Sequence, residues 1–280
     1  MAFSNGLGIK KTLELLIPKL RAEGMSDDQI KRLASELERE REKLELPKIA
    51  LIGFAGVGKS STINALFNAG QPISDVRACT KEEAAIHGDV SKYTGSKGSI
   101  IVYDMPGLGE DIDEDSKNLE VYKKVIPKVD VSVWTFTAGD RAMKSMQETL
   151  LLLEKEFGKS FTDHLVFAIN KADITAPGEI AWNLDLNSPS PEQRRNIKEF
   201  EKYFKEKVLR VFPAWKGEIV SFSAKRRYQL DILMTAIVAA VPERKRFQFG
   251  EITDVADFRE LINKKYLDYI NKNIGDSYGK

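Results

Sequence analysis

The sequence has one cysteine and two histidines among its 280 residues. A single cysteine, Cys79, excludes an intramolecular disulfide and a multi-cysteine metal site. His87 and His164 lie apart from the cysteine and from any catalytic pattern in the sequence. We therefore interpret all three side chains as structural.

The sequence also lacks long apolar runs and an excess of either charge. No apolar run reaches the roughly 18 residues that a membrane-spanning helix needs, and the first six residues lack the pattern of a signal peptide, so we expect a cytoplasmic protein. Lysine and arginine total 43 against 42 acidic residues, a net charge of +1. Bulk charge therefore gives no reason to expect nucleic-acid binding, although a local basic patch is compatible with this balance.

Three segments differ in their patterns. Residues 1–46 are predicted to be helical, with Pro18 interrupting an apolar stripe and with Ser26 and Gln29 at the spacing of a capping box. Residues 47–242 alternate short β-like runs with amphipathic helices, which is typical of an α/β domain with a parallel sheet. Residues 243–280 predict a final amphipathic helix. This helix either packs on the protein or docks on a membrane surface or a partner.

The middle segment predicts the following elements. The strands are Ile49–Gly53, Ser99–Asp104, Val129–Phe136, Leu165–Asn170 and Glu218–Phe222, with a weaker antiparallel edge strand at Ala85–Val90. The helices are Lys59–Phe67, Leu119–Lys128, Arg141–Phe157, Pro191–Lys207 and Leu230–Ala240. Ser190 and Gln193 mark the start of the fourth helix with a capping box, and Ile174–Pro189 has the composition of a long surface loop.

A glycine-rich segment joins the first predicted strand to the first predicted helix. Residues Gly53-Phe54-Ala55-Gly56-Val57-Gly58-Lys59-Ser60 match G-x-x-x-x-G-K-[ST]. Glycines leave backbone amides free to surround a β-phosphate, and the next helix directs its positive end at the phosphates. We expect Lys59 to reach the β- and γ-phosphates and the Ser60 hydroxyl to bind Mg²⁺. The strand–turn–helix context argues against the alternative of a chance glycine-rich turn.

A second motif, Asp104-Met105-Pro106-Gly107, has the form D-x-x-G and follows another predicted strand. Asp104 can hold the Mg²⁺ shell through water, and the Gly107 amide can contact the γ-phosphate and respond to its loss. Because Asp-x-Pro-Gly also forms ordinary turns, the weight of this motif comes from its place one strand after the phosphate loop.

Two further motifs are suited to a guanine base. Asn170-Lys171-Ala172-Asp173 matches N-K-x-D at the end of a strand. Asp173 can accept two hydrogen bonds from the guanine ring N–H and exocyclic amine, and this strongly disfavours adenine, which has no such pair. Asn170 is expected to hold the loop and the stem of Lys171 to cover the ring. Ser223-Ala224-Lys225 follows the last strand, where the Ala224 amide can donate to the guanine carbonyl. The expected ligands are GTP and GDP.

In this order the motifs resemble those of Era-like GTPases of the translation-factor-related class. The resemblance covers roughly Lys48 to Val241, and Asp104–Gly109 with Ala138–Ala142 looks like the prophage-type, YfjP-like branch. It implies a Ras-like P-loop fold, with a mixed and mostly parallel sheet and helices on both faces. In this chain we expect N- and C-terminal helices to flank that fold. It also implies nucleotide contacts from Gly53, Gly56, Val57, Gly58, Lys59, Ser60 and Ser61.

The same resemblance assigns the catalytic roles. Thr80 is the expected switch threonine, which completes a Mg²⁺ site with Ser60 and Asp104; the alternative for Thr80 is an ordinary surface role, because threonines are common in loops. Leu108 occupies the position of the water-orienting glutamine of Ras-like enzymes, which predicts slow hydrolysis or help from another group. Arg77 has the spacing of the built-in arginine of Gα subunits, and Arg141 is a second candidate, acting across a dimer. For either arginine the alternative is a solvated surface side chain.

Two functions fit these residues. The first is Mg²⁺-dependent hydrolysis of GTP to GDP and phosphate that runs a conformational switch, with Lys59, Thr80, Gly107 and Arg77 as the catalytic residues. The second is a GTP-stabilised assembly or membrane-associated scaffold, resembling septins or immunity-related GTPases, with incidental turnover. The partners considered are an effector protein, the ribosome, a second copy of the chain, and a membrane contacted peripherally through the terminal helices. An RNA chaperone is disfavoured because the tail after Pro242 contains no G-x-x-G loop like that of a KH domain.

Overall fold

The computed structural model describes residues 17, 18, 20–22, 24–32, 35, 45–67, 84–94, 98–109, 111–139, 142–242 and 245. The described residues belong to two compact units. The larger unit consists of Pro47–Gly88 and Ile100–Val241, and it contains the motifs identified above that lie within the described residues.

The described residues form one sheet with the strand order β2-β3-β1-β4-β5-β6. Its strands are β1 Lys48–Gly53, β2 Ala84–Asp89, β3 Ser99–Asp104, β4 Val131–Thr137, β5 Leu165–Asn170 and β6 Ile219–Ser221. Strand β1 pairs in parallel with β3 and β4, β4 with β5, and β5 with β6. The predicted Ras-like architecture, with a mixed and mostly parallel sheet, is confirmed.

The helices with described bounds follow the strands along the chain. They are α1 Lys59–Phe67, α2 Ser91–Thr94, α3 Ile112–Val125, α4 Met143–Phe157, α5 Lys159–Asp163, α6 Pro191–Val211 and α7 Leu230–Ala240. Short 3-10 turns cover Ile126–Lys128, Ala172–Ile174 and Glu179–Ala181.

The central strands are buried along their whole length. Every residue of β5 is buried, and in β4 only the last residue is partly exposed, as expected for parallel strands covered on both faces. Helices α3, α4 and α6 share an apolar cluster with Trp134 and Phe167 on one face. Helices α1 and α7 pack together and contact strands of the sheet. This packing fixes the strand ends from which the motif loops emerge.

Several predicted boundaries are confirmed and others need correction. The bounds of β3, β5, α1 and α7 are those predicted. Helix α3 begins at Ile112 instead of Leu119, because the Asp111 side chain caps it by accepting hydrogen bonds from the amides of Asp113 and Glu114. It ends at Val125 because Pro127 lies in the 3-10 turn that follows. Helix α6 continues to Val211, four residues beyond the predicted end.

The smaller unit includes the described residues that precede Pro47. Residues 27–32 are helical, and the predicted capping box is confirmed: the Ser26 amide donates to Gln29 Oε1 at 2.8 Å and the Gln29 amide donates to Ser26 Oγ at 3.3 Å. The predicted C-terminal amphipathic helix lies outside the described residues. Among the helices that are described, none combines the length and the apolar character needed to cross a bilayer.

Candidate nucleotide-binding site

The predicted motifs lie at the carboxyl ends of parallel strands. The phosphate loop follows β1, Asp104 ends β3, Asn170 ends β5 and Ser223 follows β6. The carboxyl ends of parallel strands meet at one edge of a sheet, which is where ligands bind in open α/β folds.

The phosphate loop passes between β1 and α1 in close contact with the base-reading motif. Gly58 has φ +95°, and a Cβ atom there would collide with the amide nitrogen of the Asn170 side chain, so a larger residue would separate the two motifs. The Lys59 ammonium is buried, and it donates to the carbonyl of Phe54 at 2.9 Å and to that of Gly53 at 3.3 Å. Its positive charge therefore lies over the start of the loop.

The two predicted Mg²⁺ ligands from different motifs are in contact. The Ser60 hydroxyl donates to Asp104 Oδ2 at 2.6 Å. Parallel pairing of β1 with β3 places Leu51 opposite Asp104 and so carries the carboxylate to the loop that β1 feeds. A hydroxyl and a carboxylate are hard oxygen donors of the kind that Mg²⁺ prefers, so this pair fits the metal.

The turn at Gly107 lies directly against the phosphate loop. A Cβ atom at Gly107 would lie 2.6 Å from Ala55 Cα, so only glycine fits without a shift of the backbone. The Leu108 amide donates to Gly53 O at 3.2 Å, and the Ala55 amide donates to Leu108 O at 2.9 Å. These bonds continue the ladder beyond the sheet and fix the turn beside the loop.

Helix α3 also holds this turn through two of its side chains. The buried Asn118 side chain donates to the carbonyl of Gly107 at 2.7 Å, and the Tyr122 hydroxyl donates to that of Pro106 at 3.1 Å. The Tyr122 oxygen also accepts a long hydrogen bond of 3.5 Å from the Gly53 amide. One helix therefore contacts both the turn and the start of the phosphate loop.

The side chain of Leu108 belongs to the core. It is 3% exposed and lies in the same apolar cluster as Met105, Tyr122 and Trp134. Sequence analysis predicts that Leu108 cannot orient a water molecule because its side chain is apolar. The structure adds a second reason, since the side chain is directed into the protein.

Asn170 connects three loops of the site. Its Nδ2 donates to the carbonyl of Val57 at 3.0 Å, while its Oδ1 accepts from the amides of Lys171 at 2.7 Å and Ala224 at 3.1 Å. In the structure the Ala224 amide donates to this side chain, whereas the sequence predicts that it donates to the base. Lys171 Nζ donates to the carbonyl of Gly56 at 3.0 Å, so the lysine stem extends to the phosphate loop.

Asp173 presents a buried carboxylate oxygen. The residue is 1% exposed, and its Oδ1 has no hydrogen-bond partner among the described residues. A buried and unpaired acceptor of this kind is costly unless a ligand completes it, which fits the N–H donors of guanine. The fully buried Gln193 holds the backbone at Asp173. Its Nε2 donates to the carbonyl of Asp173 at 3.1 Å and to the carbonyl of Gly178 at 2.9 Å.

The second base-reading loop is closed by backbone and side-chain bonds. Ser223 and Tyr228 exchange two backbone hydrogen bonds, at 3.2 and 3.0 Å. Glu179, in the long loop after Asp173, accepts from both Lys225, at 2.7 Å, and Arg226. The hydrogen bond from Lys225 is the largest influence on this carboxyl, and it lowers the pKa of Glu179 below its ordinary value.

Residues 48–171 match the model of the 50S ribosome-binding GTPase family. This match places a P-loop GTPase domain within residues 48–171. It is related to the uncharacterised protein YfjP of Escherichia coli, with 26% identity over 198 residues that make up 70% of this chain and 62% of YfjP. The chain thus spans about three fifths of the length of that relative.

Solved structures resemble the GTPase domain in fold. A mutant of Era from Aquifex aeolicus bound to GDP·AlF4⁻ aligns with a TM-score of 0.52 and 20% identity, over 71% of this chain and 58% of that one. A dimerization-deficient mutant of Toc33 from Arabidopsis thaliana aligns with a TM-score of 0.55 and 15% identity, over 78% and 93% of the two chains. At these identities the likeness concerns the fold alone.

Most predicted site residues of the GTPase domain are brought to one place. The described set comprises Gly53, Gly56, Val57, Gly58, Lys59, Ser60, Ser61, Asp104, Gly107, Asn170, Lys171, Asp173, Ser223, Ala224 and Lys225. Thr80, Arg77 and Arg141 lie outside the described residues, as does Cys79. Their roles stay predictions.

Sequence reasoning missed four residues that hold the site of the GTPase domain: Asn118, Tyr122, Glu179 and Gln193. Only Gln193 carried a sequence signal, as the capping-box partner of Ser190, and that box is confirmed at 3.1 and 3.2 Å. Its side-chain nitrogen meets carbonyls 15 to 20 residues away along the chain, a contact that local patterns do not reveal.

Proposed function

We propose that this protein hydrolyses GTP to GDP and phosphate with Mg²⁺ and that the loss of the γ-phosphate drives a conformational switch. The observation that carries the proposal is the 2.6 Å contact between Ser60 and Asp104. It joins the phosphate loop to the strand end that leads into the Gly107 turn. A change at the phosphates is thereby passed directly to the turn.

Each part of the phosphate site has a role in this proposal. The loop amides and the start of α1 bind the phosphates, and Lys59 supplies a buried positive charge beside them. Ser60 and Asp104 would hold Mg²⁺, which would neutralise charge on the phosphate oxygens. Thr80 would complete the Mg²⁺ site, and the Gly107 amide would contact the γ-phosphate.

Guanine recognition rests on Asp173 and on the loops that Asn170 joins. The unpaired Oδ1 of Asp173 accepts the guanine donors, and adenine would leave this oxygen buried and unsatisfied. The protein should therefore bind GTP and GDP in preference to ATP.

Burial of Leu108 supports a second candidate function, a GTP-stabilised assembly in which turnover is incidental. With this side chain in the core, water must be oriented by another group: Arg77 within the chain, Arg141 of a second copy, or a separate activator. Dimerization is named for the Toc33 neighbour, and a homodimer or a scaffold with peripheral membrane contact belongs to this candidate. For the first candidate function, the conformational switch, two partners should be tested. One is the ribosome, which the description of the matched family names, and the other is an effector protein.

Measurement of phosphate release from GTP tests the two candidates. We expect release that requires Mg²⁺, is absent with ATP, and is lost in Ser60→Asn, because this substitution weakens the GTP-bound state more than the GDP-bound state. A rate per molecule that is negligible when dilute and rises with protein concentration would favour assembly. Release that is unaffected by chelation of Mg²⁺ would contradict the proposal.

A further inference from the structure

We propose that Tyr122 and Asn118 are positioning residues that set the orientation of the Gly107 amide and thereby the preference of the protein for GTP over GDP. This inference rests on the proposed function, in which that amide contacts the γ-phosphate. Neither residue belongs to a nucleotide-binding motif, and both lie on α3, outside the phosphate loop.

The argument starts from the geometry of one peptide unit. The Gly107 N–H and the Pro106 C=O belong to the same peptide group, which is trans. In a planar trans peptide these two bonds point in opposite directions. Because the Tyr122 hydroxyl holds the Pro106 carbonyl toward α3 at 3.1 Å, the Gly107 N–H is held pointing away from α3.

The next peptide unit is held in the same way. Asn118 donates to the Gly107 carbonyl at 2.7 Å, and the amide of that peptide, which belongs to Leu108, donates to Gly53 O at 3.2 Å. Asn118 and Tyr122 are four residues apart on α3, so they lie on the same face of the helix. With both neighbouring carbonyls held, the Gly107 amide has little freedom to rotate.

The surroundings of Tyr122 stabilise the hydrogen bond from its hydroxyl to the Pro106 carbonyl. The side chain is fully buried, and burial raises the pKa of the phenol, so the hydroxyl keeps its proton and stays a donor. The same oxygen lies 3.5 Å from the Gly53 amide. Gly107 itself packs against Ala55, so a rotation of this peptide would also disturb the phosphate loop.

Loss of the hydroxyl should affect the two nucleotides differently. GDP lacks the phosphate that the Gly107 amide contacts, so its affinity depends little on the orientation of that amide. A GTP analogue loses part of a hydrogen bond to phosphate when the peptide is free to turn. A hydroxyl with a purely structural role would instead lower the affinities for both nucleotides together, through the stability of the fold.

The test compares Tyr122→Phe with Tyr203→Phe, which removes a hydroxyl from the exposed surface of α6. Dissociation constants for GDP and for the non-hydrolysable analogue GMPPNP are measured with Mg²⁺ by calorimetry. In Tyr122→Phe the preference for GMPPNP over GDP should fall roughly three- to tenfold, the usual worth of one hydrogen bond. Tyr203→Phe should match the unmodified protein.

A second variant keeps the test decisive if Tyr122→Phe does not fold. Asn118→Ala should also lower the preference for GMPPNP over GDP, because it frees the carbonyl of Gly107. Equal losses of affinity for both nucleotides, or no loss in a folded variant, would overturn the inference. Failure of the proposed function would appear in the unmodified protein, as identical protease sensitivity with GDP and with GMPPNP.

Discussion

For a substitution at Leu108, the motif and the structure predict different effects on the rate of GTP hydrolysis. The motif alone suggests that Leu108→Gln would restore the water-orienting glutamine of Ras-like enzymes and speed hydrolysis. In the structure this side chain is 3% exposed and lies in the apolar cluster with Tyr122 and Trp134. We therefore expect Leu108→Gln to destabilise the protein without a gain in hydrolysis rate.

The magnitude follows from two contributions. A buried leucine side chain contributes about 2–3 kcal/mol to the free energy of unfolding, and burial of an amide without partners costs about 1–3 kcal/mol. The substitution should therefore lower that free energy by about 3–6 kcal/mol, a large part of the stability of an ordinary domain. Leu108→Met, which keeps the volume and the apolar character, should cost less than about 1.5 kcal/mol.

Urea unfolding with GDP present and single-turnover hydrolysis of GTP measure the two quantities in the three proteins. We expect the hydrolysis rate of Leu108→Gln to stay within about twofold of the unmodified rate, since the new amide has no path to the nucleotide. A rate increase of about tenfold or more with an unchanged free energy of unfolding would refute the reasoning, because position 108 would then face the nucleotide.

Five other substitutions test the remaining parts of the site. Asp173→Asn should shift preference from guanine to xanthine nucleotides in calorimetry, and equal affinity of the unmodified protein for ATP and GTP would contradict the assignment. Lys59→Ala should abolish tight GTP binding, measured by filter binding, because it removes the buried charge beside the phosphates. Glu179→Gln should speed dissociation of a fluorescent GDP roughly threefold at low salt, because Lys225 and Arg226 lose their shared partner; an unchanged rate would show that this contact does not hold the base. Arg77→Ala should slow single-turnover hydrolysis on the order of a hundredfold with unchanged GDP affinity if it acts within one chain, whereas a concentration-dependent rate that falls in Arg141→Ala would assign the role to a second copy.

The parts of this protein that sequence predicted well are those with local causes. Strand β5 is a continuous apolar run ended by Asn170, and α1 follows directly from the phosphate-loop pattern, so both were placed with correct bounds. The start of α3 was misplaced, although Asp111 followed by an acidic first turn is a helix-start signal. The apolar periodicity of this segment begins only at Leu119, so it does not mark the first turns of the helix.

The parts that sequence could not predict depend on contacts between distant residues. The hydrogen bond of Asn118 to Gly107 spans 11 residues, and that of Tyr122 to Pro106 spans 16. In each pair one partner lies on α3 and the other in the turn after β3, so the periodicity of a single element does not mark these pairs. They form only because α3 packs beside the turn that it holds.

The two base-reading residues differ as targets for protein engineering. Asn170 joins Val57 to the Ala224 loop, so a substitution there changes the phosphate loop together with the base site. The Oδ1 of Asp173 has no such partner among the described residues. A variant of this protein that is specific for a synthetic nucleotide is therefore best made by substitution of Asp173, because a change of base specificity there leaves the contacts of Asn170 with the phosphate loop in place.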